Sequence, residues 1–345
     1  MPQDNPIIQL SAAEVTDLCM HALRSVHASP QAVEAVTDAL VWCELRGVSS
    51  HGLNMLPTYM ERAIHGGINP NAVPEMVSQS GAIARLDGRG SFGQYIASVA
   101  VIEAIQLTKA HSVGVISVFN GNHAGALGYF TQKIAEAGLI GFMAHNANPS
   151  VAPFGGRKAS LGTNPLSFAF PGGQFPVVVD LATSATAKGK LYELARSGDQ
   201  IPPGLALDSN GEPTTSLTEA LKGILLPLGG PKGYSLAVAV EMLTGVLGGG
   251  ELGPDIPSFH KAPDTPQGVS MLVLAIDPSK LMPLNEFKAR AMQLTEKIRA
   301  TPPAEGFSAV QMPGEREAQL AQTHLKEGIP VKKSLLDEIQ SHMTI

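Results

Sequence analysis

Short apolar runs rich in β-branched residues alternate with longer helical stretches between residues 82 and 145, and this alternation restricts the chain to an α/β fold. Residues 82–86 read as a strand, 88–93 as a turn and 94–111 as a long helix. Residues 113–119 form a β-branched strand, 129–137 a second helix and 139–145 another strand. The assignments follow from apolar periods of two for strands and near 3.6 for helices. Further along, 177–180 and 271–276 read as strands, 167–170 as a candidate strand, and 235–247 as a buried helix. The spacing is irregular, with no internal repeat and no disordered linker.

Outside that region the chain is helical. Residues 9–46 read as two helices, the first capped by Ser11 with Glu14 completing a capping box, the second opened by Ser29-Pro30. An amphipathic stretch at 55–64 ends at Gly66-Gly67, and 284–301, 315–327 and 335–343 read as helices, the first two with polar faces. Proline and glycine gather in 148–176, 198–215 and 248–268, predicted as long surface loops.

Composition narrows the class. The chain has 345 residues, 44% of them hydrophobic and 16% charged, with a formal charge of −6. That balance describes a globular protein with a large core and room for a subunit interface, and it argues against nucleic-acid or anionic-membrane partners. Cys19 and Cys43 make no disulfide framework and lack metal-ligand spacing. The N-terminal residues lack the basic and apolar regions of a signal peptide, and 235–247 is too short to span a bilayer. A cytoplasmic protein with no bound metal is expected.

Gly88-Arg89-Gly90-Ser91-Phe92-Gly93 matches the dinucleotide fingerprint G-x-G-x-x-G between a strand and a helix. The fingerprint also needs an acidic residue about 20 positions on, at the end of the next strand. Here that strand ends in Val118-Phe119-Asn120. The glycines therefore read as a strand-to-helix turn, and a Rossmann fold is not supported.

Other clusters carry more chemistry. Ser49-Ser50-His51-Gly52 sets a hydroxyl beside an imidazole able to give and take a proton near neutrality. Asn122-His123-Ala124-Gly125 follows a strand end, where α/β proteins place ligands. Gly162-Thr163-Asn164-Pro165 and Asp180-Leu181-Ala182-Thr183-Ser184, followed by Lys188 and Lys190, supply donors for carboxylate, ribose or phosphate oxygens. Gly229-Gly230-Pro231-Lys232-Gly233 puts a lysine at a helix N-terminus, a good anion site, and Met312-Pro313-Gly314-Glu315-Arg316 repeats the theme. The histidines lack the pairing of a metal-dependent hydrolase.

Taken in order with Leu45-Arg46-Gly47, this set resembles the malate/L-lactate dehydrogenase family, nicotinamide enzymes unrelated to the Rossmann dehydrogenases. The family includes sulfolactate and ureidoglycolate dehydrogenases and piperideine-2-carboxylate reductase. The resemblance runs from about residue 10 to residue 335. It implies a non-Rossmann α/β fold with a nicotinamide-binding mixed-sheet domain and a discontinuous helical domain built from both termini. The expected units are 1–45 plus 333–345 (helical), 46–115 plus 313–332 (substrate and catalysis) and 116–312 (cofactor). It also implies a homodimer, a small-molecule substrate, and NAD- or NADP-linked interconversion of a 2-oxo acid and a 2-hydroxy acid.

By position, His51 would be the proton donor with Ser50 its partner and Lys190 a further catalytic residue. Thr163, Thr183 and Ser184 would meet the substrate. Asn122, His123, Gly125, Asp180, Leu181, Ala182, Lys232, Gly314, Glu315 and Arg316 would hold the cofactor. Many members carry arginine four residues after the histidine, where it grips the substrate carboxylate; this chain has Met55, so either another cation, with Arg46 or Arg62 as candidates, supplies that charge or the substrate sits differently and meets an apolar wall. Reduced preference for small dicarboxylates is expected. Lys190 stands where imine-reducing members have aspartate, and Pro231 where they often have histidine, so 2-oxo acids come before cyclic imino acids. A nucleotide-binding protein that has lost catalysis is the non-enzymatic alternative.

Overall fold

The computed structural model describes residues 6–187, 191 and 200–343. Its first element differs from expectation. β1 (Ile7–Leu10) is extended and pairs antiparallel with β12 (Ile329–Lys332), joining the two ends of the chain, before α1 (Ala12–Ser25) begins. A pairing across more than 300 residues leaves no trace in local periodicity. The predicted caps are present: Ser11 accepts from the Glu14 amide in a full capping box, and Ser29 accepts from the Ala32 amide at the start of α2 (Pro30–Leu45). α3 (Leu56–His65) ends at Gly66 with φ 96°, a left-handed cap that glycine adopts without strain. Val15, Leu23, Leu40, Leu53, Tyr59, Ile329 and Ile339 belong to one apolar core that unites α1–α3 with both chain ends.

A second core surrounds a mixed seven-stranded sheet. In spatial order its strands are β2 (Glu75–Ser80), β3 (Ile83–Asp87), β4 (Val113–Gly121), β11 (Val269–Ile276), β5 (Ile140–His145), β6 (Leu166–Phe170) and β7 (Val177–Leu181). β3 and β4 run parallel, linked by α4 (Gly93–His111), and the other neighbouring pairs are antiparallel. This is the expected mixed, non-Rossmann α/β architecture. α5 (Leu127–Glu136) packs on β5 and β6. Since β11 is antiparallel to both β4 and β5, those two strands point the same way, and two reversals later so does β7. The ends of β3, β4, β5 and β7 and the starts of β6 and β11 thus share one edge.

Two loop regions hold more structure than expected. β8 (Ala206–Leu207), β9 (Pro213–Thr214) and β10 (Ile224–Leu225) form a small sheet beside the short α6 (Leu217–Lys222). Strands of two residues are too short to show an alternation. The predicted buried helix at 235–247 is instead α7 (Pro231–Glu241) continued by a π-helical turn, Met242–Val246, and one face is open. Leu236, Met242, Val246 and Leu247 are 43–60% exposed, while Ala237, Val240, Glu241 and Thr244 face inward. α8 (Leu284–Arg299), α9 (Glu315–Glu327) and α10 (Lys333–Met343) complete the fold. Among the described residues no helix is long and apolar enough to cross a membrane.

The glycine-rich turn at 88–93 has a different task from the one its pattern suggests. A Cβ on Gly93 would lie 2.2 Å from the Asn122 carbonyl oxygen and 2.3 Å from that of His123. Asn122 donates back to the carbonyls of Gly90 (2.9 Å) and Ser91 (3.0 Å). The turn is a seat for the 122–123 loop. Gly93→Ala should therefore cost about 1–3 kcal/mol of stability by overpacking backbone against backbone, measured by chemical denaturation. Arg89→Ala, whose side chain makes only an exposed ion pair with Glu75, should cost less than about 1 kcal/mol.

Candidate active site

Four of the segments singled out in the sequence meet at that shared edge, 122–125 after β4, 162–165 before β6, 180–184 at the end of β7 and the Gly88–Gly93 turn, and His145 joins them at the end of β5. The Ser49–His51 turn arrives from the helical core. His51 Nδ1 lies 3.0 Å from Ser50 Oγ, and the ring stacks on His123 with centroids 5.7 Å apart. His123 is the centre of the group. Its Nδ1 is 2.8 Å from the hydroxyl of Tyr59, its ring is 6.5 Å from that of His145 and 4.9 Å from Phe259, and its amide donates to Gln267 Oε1 at 3.1 Å. His145 is buried, with Nδ1 against the Asn146 carbonyl and Nε2 3.5 Å from that of Asn122.

His51 and His123 are partly exposed to solvent and closely surrounded by protein. Burial lowers the pKa of His51 and of His145. His123 is held well below the usual imidazole value, by burial first and then by His51, His145, His260 and Arg62. The rings are therefore neutral at rest. Among the described residues, no group of three or more His, Cys, Asp or Glu is arranged to hold a metal ion.

Asp180 is exposed at the end of β7, and the Gly128 amide, in the first turn of α5, donates to it at 2.7 Å. Desolvation pushes its carboxyl up to about 6 against that hydrogen bond. Gly125 has φ 82°, and nothing comes closer than 3.6 Å to where its Cβ would be. The Met312–Arg316 turn lies beside the same strand: the Pro313 carbonyl accepts from the Val178 amide at 3.3 Å, and Gly314 packs on Val178. Glu315 ties that turn by accepting from the Met312 amide and pairing with Arg299 at 2.9 Å, while Arg316 is exposed.

The remaining residues form a network. Thr183 donates both its amide and its hydroxyl to the Thr163 carbonyl, each at 2.9 Å, and Ser184 donates to the Thr186 carbonyl at 2.8 Å. The Thr183 carbonyl accepts from Leu228, which opens the 229–233 turn carrying the exposed Lys232. Asn164 donates to Glu241 (2.9 Å) and accepts from Ala147 (3.1 Å), linking this turn to the end of β5. Neither candidate arginine approaches the imidazoles with an open guanidinium. Arg46 lies over the Trp42 ring and donates to Gln132; Arg62 is fully buried and donates to the carbonyls of Phe259, Gly67, Ala262 and Thr265. Met55 is part of the apolar core. Lys188 and Lys190 lie outside the described residues.

Sequence reasoning missed Tyr59, His145, Phe259, Gln267 and Glu241. Tyr59 fell within an amphipathic pattern that any core helix shows, and the others stand alone without a motif. Their one signal was indirect: His145 ends a predicted strand, at the same relative place as Asn122-His123.

Comparison with known proteins gives a consistent picture. The family model described as malate/L-lactate dehydrogenase matches residues 10–340. The L-sulfolactate dehydrogenase of Methanocaldococcus jannaschii is 36% identical over 323 residues, covering 94% of this chain and 93% of that protein. The malate/(S)-sulfolactate dehydrogenase of Methanothermus fervidus is 34% identical, covering 96% of each. The solved sulfolactate dehydrogenase structure from M. jannaschii superimposes with a TM-score of 0.91 at 34% identity, covering 98% of this chain and 97% of that one.

The depressed histidines have a measurable signature. A buried neutral imidazole binds its proton less readily than the unfolded one, so it removes stability as pH falls through about 6.5. Asp180, with its raised value, acts in the opposite sense below about 6. Comparing wild type with His123→Gln isolates the imidazole. As pH is lowered from about 7.5 to about 5, wild type should lose stability relative to the variant by up to about 1.4 kcal/mol per pH unit in denaturant titrations. A difference that stays constant would mean His123 is not held neutral.

Proposed function

The chain belongs to the malate/L-lactate dehydrogenase family and is a dehydrogenase of hydroxy acids, and on that premise we propose that it interconverts a 2-oxo acid and a 2-hydroxy acid of the malate, lactate or sulfolactate kind, with His51 as proton donor. The observation that carries this reading is the hydrogen-bonded Ser50–His51 pair stacked on His123. Ser50 engages Nδ1 and leaves Nε2 for the substrate. In the reductive direction the imidazolium gives its proton to the C2 oxygen; in the oxidative direction the neutral ring takes it from the hydroxyl. A nicotinamide cofactor, NAD or NADP, supplies or accepts the hydride when bound.

The residues present suit such a cofactor. A carboxylate at Asp180 bound by the Gly128 amide at the start of α5 and a lysine at the start of α7 are a donor and acceptor set for ribose and pyrophosphate. We assign cofactor binding to Asn122, His123, Gly125, Asp180, Leu181, Ala182, Lys232, Gly314, Glu315 and Arg316. In this assignment Asn122 and Glu315 act by fixing their turns. Thr163, Thr183 and Ser184 shape the substrate side, and Lys190 keeps its catalytic assignment. Arg46 would have to leave Gln132 and Trp42 to grip a carboxylate. A rival assignment of the proton to His123 has one observation in its favour, the buried Tyr59 hydroxyl on its Nδ1. Reduction of a cyclic imino acid is the alternative chemistry.

We also assign a homodimer. The apolar stripe of Leu236, Met242, Leu243, Val246 and Leu247 is too exposed for a stable monomer surface and suits a second copy. Cytoplasmic residence fits the two buried, unpaired thiols of Cys19 and Cys43.

The decisive assay is oxidation of NADH and NADPH against pyruvate, oxaloacetate, phenylpyruvate, sulfopyruvate and piperideine-2-carboxylate. Turnover of an oxo acid is expected; preference for the imine would reverse the substrate assignment. His51→Ala should lower kcat by about 10²–10⁴-fold while leaving cofactor binding intact, and His123→Ala with the larger loss of kcat would transfer the role. Because burial holds His51 below its ordinary value, kcat/KM for reduction should fall with rising pH at a midpoint below about 6.5, and that for oxidation should rise there. Leu243→Glu should convert a particle of twice the chain mass to a monomer in light scattering.

A further inference from the structure

We propose that Glu44 is the positioning residue of the His51 turn, gripping it from inside the protein. The inference rests on the assignment of His51 above and names what holds that histidine in place. Glu44 lies in the last turn of α2 and is only 3% exposed. Its Oε1 accepts from the Leu53 amide at 2.7 Å, and its Oε2 accepts from the Ser49 hydroxyl at 3.0 Å. Those two donors stand on either side of Ser50-His51-Gly52, so one carboxylate spans the turn. The Asn54 side chain closes the turn from outside by donating to the Ser49 carbonyl at 2.8 Å.

Gly52 belongs to the same device. A Cβ there would lie 2.1 Å from Glu44 Oε1, so a side chain at 52 would push the carboxylate out of reach of Leu53. From the other side, α9 braces the residue: His324 Nδ1 lies 3.2 Å from the Glu44 backbone carbonyl.

The residue is locally unfavourable in three ways. It is an acid near a helix C-terminus, where the dipole disfavours negative charge. It is buried, and desolvation raises its pKa. Among the described residues no lysine or arginine pairs with it. An acid retained under those conditions is explained by geometry. Two acceptor oxygens on one short side chain join two donors four residues apart, where the backbone makes only short 3-10 turns.

The test combines kinetics with a readout that does not need turnover. Rates of His51 carbethoxylation by diethyl pyrocarbonate, read by mass spectrometry, report how firmly the ring is held. Glu44→Ala should raise that rate several-fold and lower kcat by at least tenfold with KM for cofactor unchanged. Glu44→Gln, which keeps an acceptor for Leu53 and offers an amide to Ser49, should recover most of both. Wild-type reactivity and kcat in Glu44→Ala, or equal damage in Glu44→Gln, would overturn the proposal. Should Glu44→Ala fail to fold, Ser49→Ala decides: it removes one of the two donors and should raise His51 reactivity, and an unchanged rate would overturn the proposal. If wild type turns over no 2-oxo acid, the functional reading fails while the reactivity series still tests Glu44.

Discussion

The placement of β11 between β4 and β5 is the constraint on which the site depends. An antiparallel strand between two others forces those two to point the same way, so Asn122-His123 and His145 leave the sheet at one edge. Hairpin reversals through β6 and β7 then bring 162–165 and 180–184 to the same edge. β11 is supplied by residues more than a hundred positions after β5. The intervening segment includes the small sheet and α7, so the 162–165 and 180–184 turns are built within the excursion that delivers the central strand.

Buried carboxylates without cations recur around this edge. Glu44 fixes the histidine turn, and Glu241 accepts from Asn146 (3.1 Å), Asn164 (2.9 Å) and the Gly253 amide (2.8 Å). Hydrogen bonds to a charged acceptor are stronger and more directional than neutral ones, and removing one partner inside the protein leaves the other exposed to a large desolvation cost. Such hubs add little net stability. What they supply is a single arrangement of several turns, which loops of this length would not otherwise keep. Arg62 works in the complementary sense, one guanidinium joining the Gly67 carbonyl to three carbonyls of the segment that sets Phe259 against His123.

The elements that came clearly from the sequence are those with local causes. The Ser11–Glu14 capping box, the Ser29-Pro30 start and the left-handed stop at Gly66 each depend on a few neighbouring atoms. The strand-end clusters were legible because polar groups beside apolar runs mark an edge. β1 was not, because its partner lies more than 300 residues away, and the strands β8–β10 were not, because two residues show no alternation; the open face of α7 was not, because its apolar residues read as a buried run. The fingerprint at 88–93 shows why a pattern needs its context. The glycines are required, but by the backbone of Asn122 and His123 and not by a pyrophosphate. Arg46 and Arg62 make the same point about charge, as burial and local acceptors decide whether a cation can meet a ligand.

On the proposed reading, the electrostatics of the site set the order of events. His51, His123 and His145 are neutral at rest because burial makes a proton costly there, with the neighbouring imidazoles adding to that cost at His123. Arg62, buried among backbone carbonyls, adds to that cost at His123. A 2-oxo acid enters as an anion, and a nearby negative charge favours the imidazolium. The field that keeps the empty site unprotonated is thus reversed by the substrate itself, and the acid needed for reduction forms only once there is an oxygen to receive its proton. An arginine fixed beside His51 would oppose that protonation in the empty and the occupied site alike. Its replacement by Met55 therefore changes how the proton is summoned as well as how the carboxylate is held.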